Sequence, residues 1–270
     1  MSTQLLDGNI DSILQAVIKK RPERIVLFTP GAQTIESVID LISQQDTVAV
    51  SLLSKPAPMK EATADFSVAS VAADLEQAGR LELRTVTDTM ENAVILTENE
   101  VIAVIDLFDG AAGLTSENQA LVERVWDSFD QQWAISAPFS HRTPALSEVR
   151  NTLSDEIGAD VRKDFDAILE ALESSRGATD IVDEVAISLL AAARHETLLY
   201  DISKWGEDVG VASKATFSRT KTVLERKGLL DTEKVPIDVG RPRLRLILAE
   251  EQLRTAPPDE LANVALSILQ

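Results

Sequence analysis

The sequence predicts two domains, an N-terminal α/β domain with a mixed sheet and a C-terminal winged helix-turn-helix. Over residues 1–143, short aliphatic runs alternate with segments of helical periodicity, as in α/β proteins. The last third of the chain shows three helical segments followed by two strand-like runs. The charge also changes along the chain: residues 1–178 contain 29 acidic and 14 basic residues, whereas residues 213–245 contain 4 acidic and 9 basic residues.

The N-terminal domain is predicted to alternate helices and strands. Aliphatic residues at helical spacing indicate the helices, and short Val, Ile and Leu runs between turn-forming residues indicate the strands. The helices are expected near 10–21, 35–42, 60–77 and 116–129, and the strands at 25–29, 48–53, 81–86, 93–96 and 101–108. Because only four residues separate the last two strands, they should form a hairpin, which makes the sheet mixed.

Residues 144–178 are predicted to form a helical connector. One helix should cover 145–157 and a second should follow it. The apolar face of the second helix consists of Val161, Phe165, Ile168, Leu169 and Leu172. This face could pack within its own domain or form the seam of a homodimer, and one sequence leaves both interpretations open.

The winged helix-turn-helix is predicted at residues 179–254. Its first helix should begin near Ile181, and Thr197 is placed to cap the second. The segment 209–212, Val-Gly-Val-Ala, is typical of the tight turn in this motif. Ser213 can then cap the last helix through its hydroxyl, and Gly228 can end that helix in a left-handed conformation.

A basic hairpin, the wing, is predicted beyond this helix. Strands at 229–235 and 243–248 should pair, with the loop 236–242 between them. After Pro257 and Pro258, residues 255–270 should form a short terminal helix.

The last helix of the motif has two contrasting sides. Its core side carries Phe217, Thr220, Lys221 and Leu224, and its outer side carries Ala215, Ser218, Arg219, Thr222 and Arg226. The outer side contains small polar residues and two arginines but no acid, as a helix in the DNA major groove requires. The alternative is a winged helix that binds a protein partner instead of DNA.

Double-stranded promoter DNA is therefore the predicted partner. Arg219 and Arg226 are expected to contact base edges, because the two donors of arginine match the two acceptors of guanine. The phosphate contacts, which position the protein without specifying sequence, are expected from Lys214, Lys221, Arg241 and Arg243. The predicted DNA-binding set is Ser213, Lys214, Ala215, Ser218, Arg219, Lys221, Thr222, Arg226, Arg241 and Arg243. A homodimer is expected, because phosphate contacts weaken at high salt and dimerisation would then have to supply more of the binding.

Composition argues against several other classes of protein. The chain has no cysteine and two histidines, so disulfides, thiolate catalysis and zinc fingers are excluded, and neither a metal site nor a cofactor is expected. The common nucleotide-binding and hydrolase motifs are missing, and no catalytic constellation emerges. We therefore expect no enzyme; the alternative is an enzyme or binding protein for a phosphorylated metabolite with an appended winged helix.

Neither a signal peptide nor an apolar run of spanning length is evident, so a cytoplasmic protein without a membrane partner is expected. The net charge of −18 also suits a salt-rich cytoplasm, in which self-repulsion is screened.

Weaker signals suggest where the first domain could hold an anionic effector. The loop after the strand at 25–29 leads into a helix, and free amides at a helix start can bind an anion. An ordinary tight connection is the simpler interpretation of this loop. The candidate effector-binding residues are Thr29, Gly31, Gln33, Thr34, Arg84 and Arg142.

Three stretches, residues 24–31 (RIVLFTPG), 157–165 (IGADVRKDF) and 199–205 (LYDISKW), resemble the haloarchaeal TbsP, or TrmB suppressor, family of transcriptional regulators. The resemblance implies a regulator of central carbon metabolism, including glycolytic and gluconeogenic genes. It also implies that the first domain is similar to the phospholipase-D-like effector domain of TrmB-type sensors, with a sugar or sugar phosphate as effector.

The chain departs from the TrmB pattern in two respects. Its winged helix is C-terminal, whereas that of TrmB-type proteins is N-terminal. The His-x-Lys signature of active phospholipase D enzymes is also missing, which favours a sensor over a catalyst.

Overall fold

The computed structural model describes residues 4–45, 48–87, 93–107, 110–174, 182–237 and 242–269. It divides into two compact units, residues 1–145 and residues 146–270. Within the described residues, no helix is long and apolar enough to cross a bilayer.

The first unit is built on a mixed sheet, for which the described residues supply eight strands. The strands are β1 (Gln4–Gly8), β2 (Arg24–Phe28), β3 (Ala49–Ser54), β4 (Leu81–Thr85), β5 (Val94–Leu96), β6 (Val101–Leu107), β7 (Gly110–Ser116) and β8 (Ala137–Pro138). Their order across the sheet is β1-β7-β6-β5-β2-β3-β4-β8. Strands β2, β3 and β4 run parallel to one another, and the remaining pairs are antiparallel.

Helices cover both faces of this sheet. They are α1 (Ile10–Lys19), α2 (Ala32–Ser43), α3 (Pro56–Ala62), α4 (Phe66–Gln77) and α5 (Gln119–Ile135). Helices α1 to α4 bury one face, which includes Ile25 and Leu27 of β2, whereas α5 lies on the other face against Val26 and Phe28. Successive side chains of β2 point to opposite faces of the sheet, and both faces are covered by helices. Every residue from Ile25 to Phe28 is therefore buried, which explains the continuous apolar run of this strand.

The mixed α/β architecture is confirmed, and some element boundaries are corrected. The single helix predicted over 60–77 is two helices, because the Asp65 carboxylate accepts from the amides of Ser67 and Val68 and starts α4 there. Helix α5 begins after Asn118 instead of at Ser116. Strand β7 was not predicted, because its Gly- and Ala-rich sequence lacks strand propensity. It is held in the sheet by its pairing with β1 and β6 and by the packing of Ala111 in the core.

The second unit contains the predicted helical and winged segments. Its helices are α6 (Leu146–Thr152), which continues as a π-helical turn (Leu153–Ile157), α7 (Ala159–Ser174), α8 (Glu184–Arg194), α9 (Leu199–Val209), α10 (Lys214–Arg226), α11 (Glu251–Thr255) and α12 (Pro258–Leu269). Strands β9 (Leu230–Val235) and β10 (Arg243–Leu248) pair antiparallel as the wing. Thr197 does not cap α9: Leu198 is the cap residue and no side chain bonds there, whereas the Thr197 carbonyl accepts from the amide of Leu246.

Helix α7 packs within its own unit, against α8 and α12. Four residues of its apolar face are buried, Val161, Phe165, Ile168 and Leu169. Asp164 is also buried, and its Oδ2 lies 2.8 Å from His195 Nε2 and 3.1 Å from Arg194 Nε. Of the two interpretations of this helix, the structure favours packing within the unit, because the buried face is not open to a second copy.

A close contact sets the approach of α9 to α10. Gly206 of α9 faces the ring of Phe217 of α10, and a Cβ added at Gly206 would lie 2.3 Å from both Cε2 and Cζ of that ring. Phe217 is fully buried, so the ring has little room to move. Glycine is therefore the only residue that fits at this crossing without displacing one helix.

Gly206→Ala tests this contact, because helix propensity and the steric contact predict changes of opposite sign in the free energy of unfolding. Helix propensity alone would raise the free energy of unfolding by about 1 kcal/mol, whereas forcing a methyl group against Phe217 should lower it by about 3 kcal/mol. We expect the loss to dominate in urea unfolding of the full chain followed by circular dichroism. Combining Gly206→Ala with Phe217→Leu should restore part of the stability.

Gly31→Ala is the matched control, because an added Cβ meets nothing within 4 Å there and the φ of −72° suits alanine. Its unfolding free energy should change by no more than about 1 kcal/mol. Equal losses in the two glycine variants would contradict the close-contact explanation.

Candidate nucleic-acid interface

The turn between α9 and α10 fixes the start of the candidate recognition helix. Gly210 ends α9 at φ +92°, a left-handed conformation that favours glycine, and the amides of Gly210 and Ala212 both donate to the carbonyl of Gly206. Ser213 caps α10, with its Oγ accepting from the amide of Thr216 at 3.2 Å. Gly228 ends the helix region at φ +75°. The predicted turn, cap and terminal glycine are all confirmed.

The outer face of α10 is exposed and free of acidic residues. Ala215, Ser218, Arg219 and Arg226 are exposed and Thr222 is half-buried, whereas Phe217 and Leu224 form the buried side. Val223 adds an apolar residue to this face, with 44% of its surface exposed. It lies four residues after Arg219 and three before Arg226, a spacing from which its position could have been predicted.

Arg219 lies along its own helix in this structure. Its Nε donates to the carbonyl of Ala215 at 3.4 Å and its Nη2 to Thr216 Oγ1 at 3.5 Å. These contacts are long and solvent-exposed, so the guanidinium can leave them for a stronger acceptor.

Lys221 does not belong to the outer face. Its side chain is only 12% exposed, and its Nζ pairs with Glu225 Oε2 at 2.8 Å. Glu225 Oε1 in turn accepts from Thr232 Oγ1 of β9 at 3.1 Å. The prediction of Lys221 as a phosphate contact is therefore corrected: the lysine joins α10 to the wing through Glu225.

Lys214 lies at the start of α10 and already has an acidic partner. Its Nζ donates to Glu207 Oε2 at 2.5 Å, and its backbone amide donates to Glu207 Oε1 at 3.2 Å. The side-chain hydrogen bond lowers the pKa of Glu207 and raises the pKa of Lys214. Both groups therefore remain charged near neutral pH, and a DNA phosphate would compete with Glu207 for this lysine.

The wing places a second basic group beside α9. The Arg243 guanidinium carbon lies 4.3 Å from the ring centroid of Tyr200, and Nη1 lies 3.5 Å from Asp201 Oδ1. Tyr200 is 47% exposed and its involvement was not predicted, because the contact joins residues 43 positions apart. Arg241 lies outside the described residues. Arg245 is held between Glu233 at 3.5 Å and Glu196 at 3.9 Å.

The candidate effector residues of the first unit do not all share one environment. Thr29, Gly31, Gln33 and Thr34 form one loop and helix start, where Gly31 is the cap residue of α2 without a side-chain cap bond. Arg142 is exposed beside His141, which pairs with Glu76 at 2.7 Å. Arg84 instead stacks on Trp133 of α5, with its guanidinium carbon 5.0 Å from the ring centroid.

No group of three or more acidic or histidine residues is placed to hold a metal ion in the part of the chain that the structure describes.

Both units match models of one protein family. Residues 2–144 match the N-terminal domain model "Transcriptional regulator TbsP-like", and residues 145–266 match the model of its C-terminal HTH domain. The chain belongs to the TbsP-like family of transcriptional regulators. The family resemblance stated from the sequence is thereby confirmed, and a role in DNA-binding transcriptional regulation is supported.

Solved structures align with about half of this TbsP-like chain. TrmBL2, described as an archaeal chromatin protein with a novel mode of DNA binding, aligns at 13% identity over 52% of this chain and 55% of its own length, with a TM-score of 0.37. Nuc, a phospholipase D family member from Salmonella typhimurium, aligns at 11% identity over 52% of this chain and 99% of its own, with a TM-score of 0.37. No curated protein matches the chain.

Glu207→Gln tests whether Glu207 restrains Lys214. Removing the carboxylate should free Lys214 for a phosphate, so the full chain should bind duplex DNA more tightly at low salt. The slope of log K against log salt concentration should steepen by about 0.9 for one added phosphate contact. Fluorescence anisotropy with a labelled duplex over a salt series measures both quantities.

Asp231→Asn is the control, because Asp231 is exposed in the same unit and its carboxylate pairs with no lysine in the described residues. It removes one negative charge and should leave the slope unchanged. Equal steepening in the two variants would refute the role given to Glu207.

Proposed function

We propose that this protein is a sequence-specific DNA-binding regulator that inserts α10 into the major groove of promoter DNA. The observation that carries the proposal is the outer face of α10: exposed, free of acids and held in place by the Gly206 crossing and the Ser213 cap. Small residues on this face, Ala215 and Ser218, would allow the helix backbone to approach the base pairs.

Individual residues can be given roles on this surface. Arg219 and Arg226 would read guanines, and the exposed Val223 between them would contact a thymine methyl group. Lys214 and the Tyr200-stacked Arg243 would contact phosphates on either side of the groove. Arg245 would contribute less, because two glutamates already surround it.

We also propose that the first unit is an effector domain and that the regulated genes belong to central carbon metabolism. Membership of the TbsP-like family supports a regulator, whereas the metabolic assignment rests on the resemblance of the three sequence stretches alone. A sugar or sugar phosphate is the proposed effector. A homodimer is proposed, because two copies of α10 could then read two half-sites.

Replacing Arg219 and Arg226 with alanine should abolish selective binding by the full chain. Each arginine–guanine pair is worth about 1–3 kcal/mol of discrimination, so the ratio of operator affinity to scrambled-duplex affinity should fall at least about fivefold per residue. Competition anisotropy with the two duplexes measures this ratio. Arg124→Ala, which removes an exposed arginine from α5, should leave the ratio unchanged. Retained selectivity in the Arg219 and Arg226 variants would exclude α10 as the recognition helix.

Genome-wide occupancy under sugar-replete and sugar-starved conditions tests the physiological proposal. Binding should concentrate at promoters of glycolytic and gluconeogenic genes and change between the two conditions. Footprints at those promoters should show two half-sites about 10 base pairs apart, or a multiple of this spacing, if a homodimer binds. Occupancy that ignores the carbon source would contradict the metabolic assignment, and single half-sites would contradict the dimer.

A further inference from the structure

Two arginines project from the sheet face that α5 covers. Arg24 begins β2, and its Nε and Nη2 both donate to Ser51 Oγ, at 3.1 and 2.7 Å. Arg84 lies in β4, and its Nη2 donates to the carbonyl of Ser136 at 2.9 Å. The buried Nε of Arg84 has no hydrogen-bond partner among the described residues. Both guanidinium groups thus keep donor capacity that the described part of the protein does not use.

The two guanidinium groups share one indole ring. The centroid of Trp133 lies 5.9 Å from the Arg24 guanidinium carbon and 5.0 Å from that of Arg84. Trp126 and Phe129 flank Arg24 at 5.9 and 5.8 Å. Trp126, Phe129 and Trp133 have i, i+3 and i+7 spacing, which places them on one face of α5. We refer to Arg24, Arg84, Trp126 and Trp133 as the arginine–tryptophan cluster.

The positive charge of this cluster is poorly neutralised. Its nearest carboxylate is Glu82, whose Oε1 lies 3.6 Å from Arg84 Nη1 and whose side chain is 56% exposed. No carboxylate of the described residues lies within ion-pair distance of Arg24. This is unusual in a unit whose 145 residues include 21 acidic and 10 basic residues. Two guanidinium groups against one aromatic ring, with a single exposed carboxylate beside Arg84, keep a net positive charge that favours the binding of an anion.

We infer that the arginine–tryptophan cluster is a binding site for a small phosphorylated metabolite. A phosphate monoester carries about −1.5 to −2 charges at neutral pH, which matches two guanidinium groups better than a single carboxylate does. Planar guanidinium forks also suit phosphate oxygens geometrically, and the indole rings offer an apolar wall for the remainder of the ligand. The inference deepens the proposed effector function by assigning the site to this cluster instead of the loop at Thr29.

The protein contains its own reporter of binding. Of its three tryptophans, two belong to the cluster, and Trp205 lies in the other unit, fully buried with its Nε1 bonded to Thr152 Oγ1. A phosphate drawn between Arg24 and Arg84 would change the surroundings of Trp126 and Trp133 and leave Trp205 as a constant background. Intrinsic fluorescence of the full chain therefore follows binding without any DNA.

The test is a fluorescence titration of the full chain with glucose 6-phosphate, inorganic phosphate and glucose. We expect a saturable change with glucose 6-phosphate and none with glucose; a response to inorganic phosphate of equal affinity would show that the phosphoryl group alone is recognised. Arg24→Gln and Arg84→Gln should each weaken the binding at least tenfold. Arg124→Gln, an exposed arginine on the same helix as the tryptophans, should leave it unchanged.

The absence of a saturable response in the wild-type chain would overturn the inference, as would equal affinity in the Arg24 and Arg84 variants. If thermal unfolding shows that either glutamine variant fails to fold, the corresponding lysine variant, Arg24→Lys or Arg84→Lys, replaces it. Lysine keeps the positive charge but loses the planar guanidinium group. The lysine variants should still bind at least tenfold more weakly than the wild-type chain.

DNA binding by the same preparation separates this inference from the proposed function. Intact selective DNA binding without a phosphate response would overturn the inference alone. A phosphate response in a protein that ignores DNA would overturn the proposed function and support the cluster.

Discussion

The crossing of α9 and α10 at Gly206 and Phe217 is the contact on which the candidate interface depends. The absence of a side chain at Gly206 lets the Phe217 ring pack directly against the α9 backbone, so the buried side of α10 is fixed. Once Phe217 points inward, the helical repeat of 3.6 residues requires Arg219, Val223 and Arg226 to point outward. The same crossing brings the Gly206 carbonyl under the turn, where it accepts from Gly210 and Ala212.

Charge alone identifies the basic module but not the residues that could bind DNA. In the second unit, four of the eight described cations between residues 213 and 245 already have an acidic neighbour: Lys214 has Glu207, Lys221 has Glu225, Arg243 has Asp201, and Arg245 has Glu233. Arg219 and Arg226 face no carboxylate within ion-pair distance among the described residues. In a chain with a net charge of −18, cations without such partners are the ones most available to an external anion.

The arginines of the first unit differ in their exposure to water. Exposed arginines such as Arg124 and Arg142 are surrounded by water, which screens them and weakens any single contact. Arg24 and Arg84 are half-buried between the sheet and a row of aromatic rings. Because solvent screening is weaker there, each bond to an anion contributes a larger electrostatic interaction energy. Arg24 has no carboxylate within ion-pair distance among the described residues, and Arg84 has only the exposed Glu82.

The sequence by itself determined the class of fold, the winged helix-turn-helix and the two sides of α10, because caps, glycines and helical periodicity act over a few residues. Tertiary structure alone decided the contacts between residues remote in sequence. In the second unit, Lys221 pairs with Glu225, the apolar face of α7 is buried, and Arg243 stacks on Tyr200. In the first unit, strand β7 pairs with its neighbours, and Arg24 and Arg84 both contact Trp133. Sequence periodicity says which residues share a face of one element; only packing says what lies opposite that face.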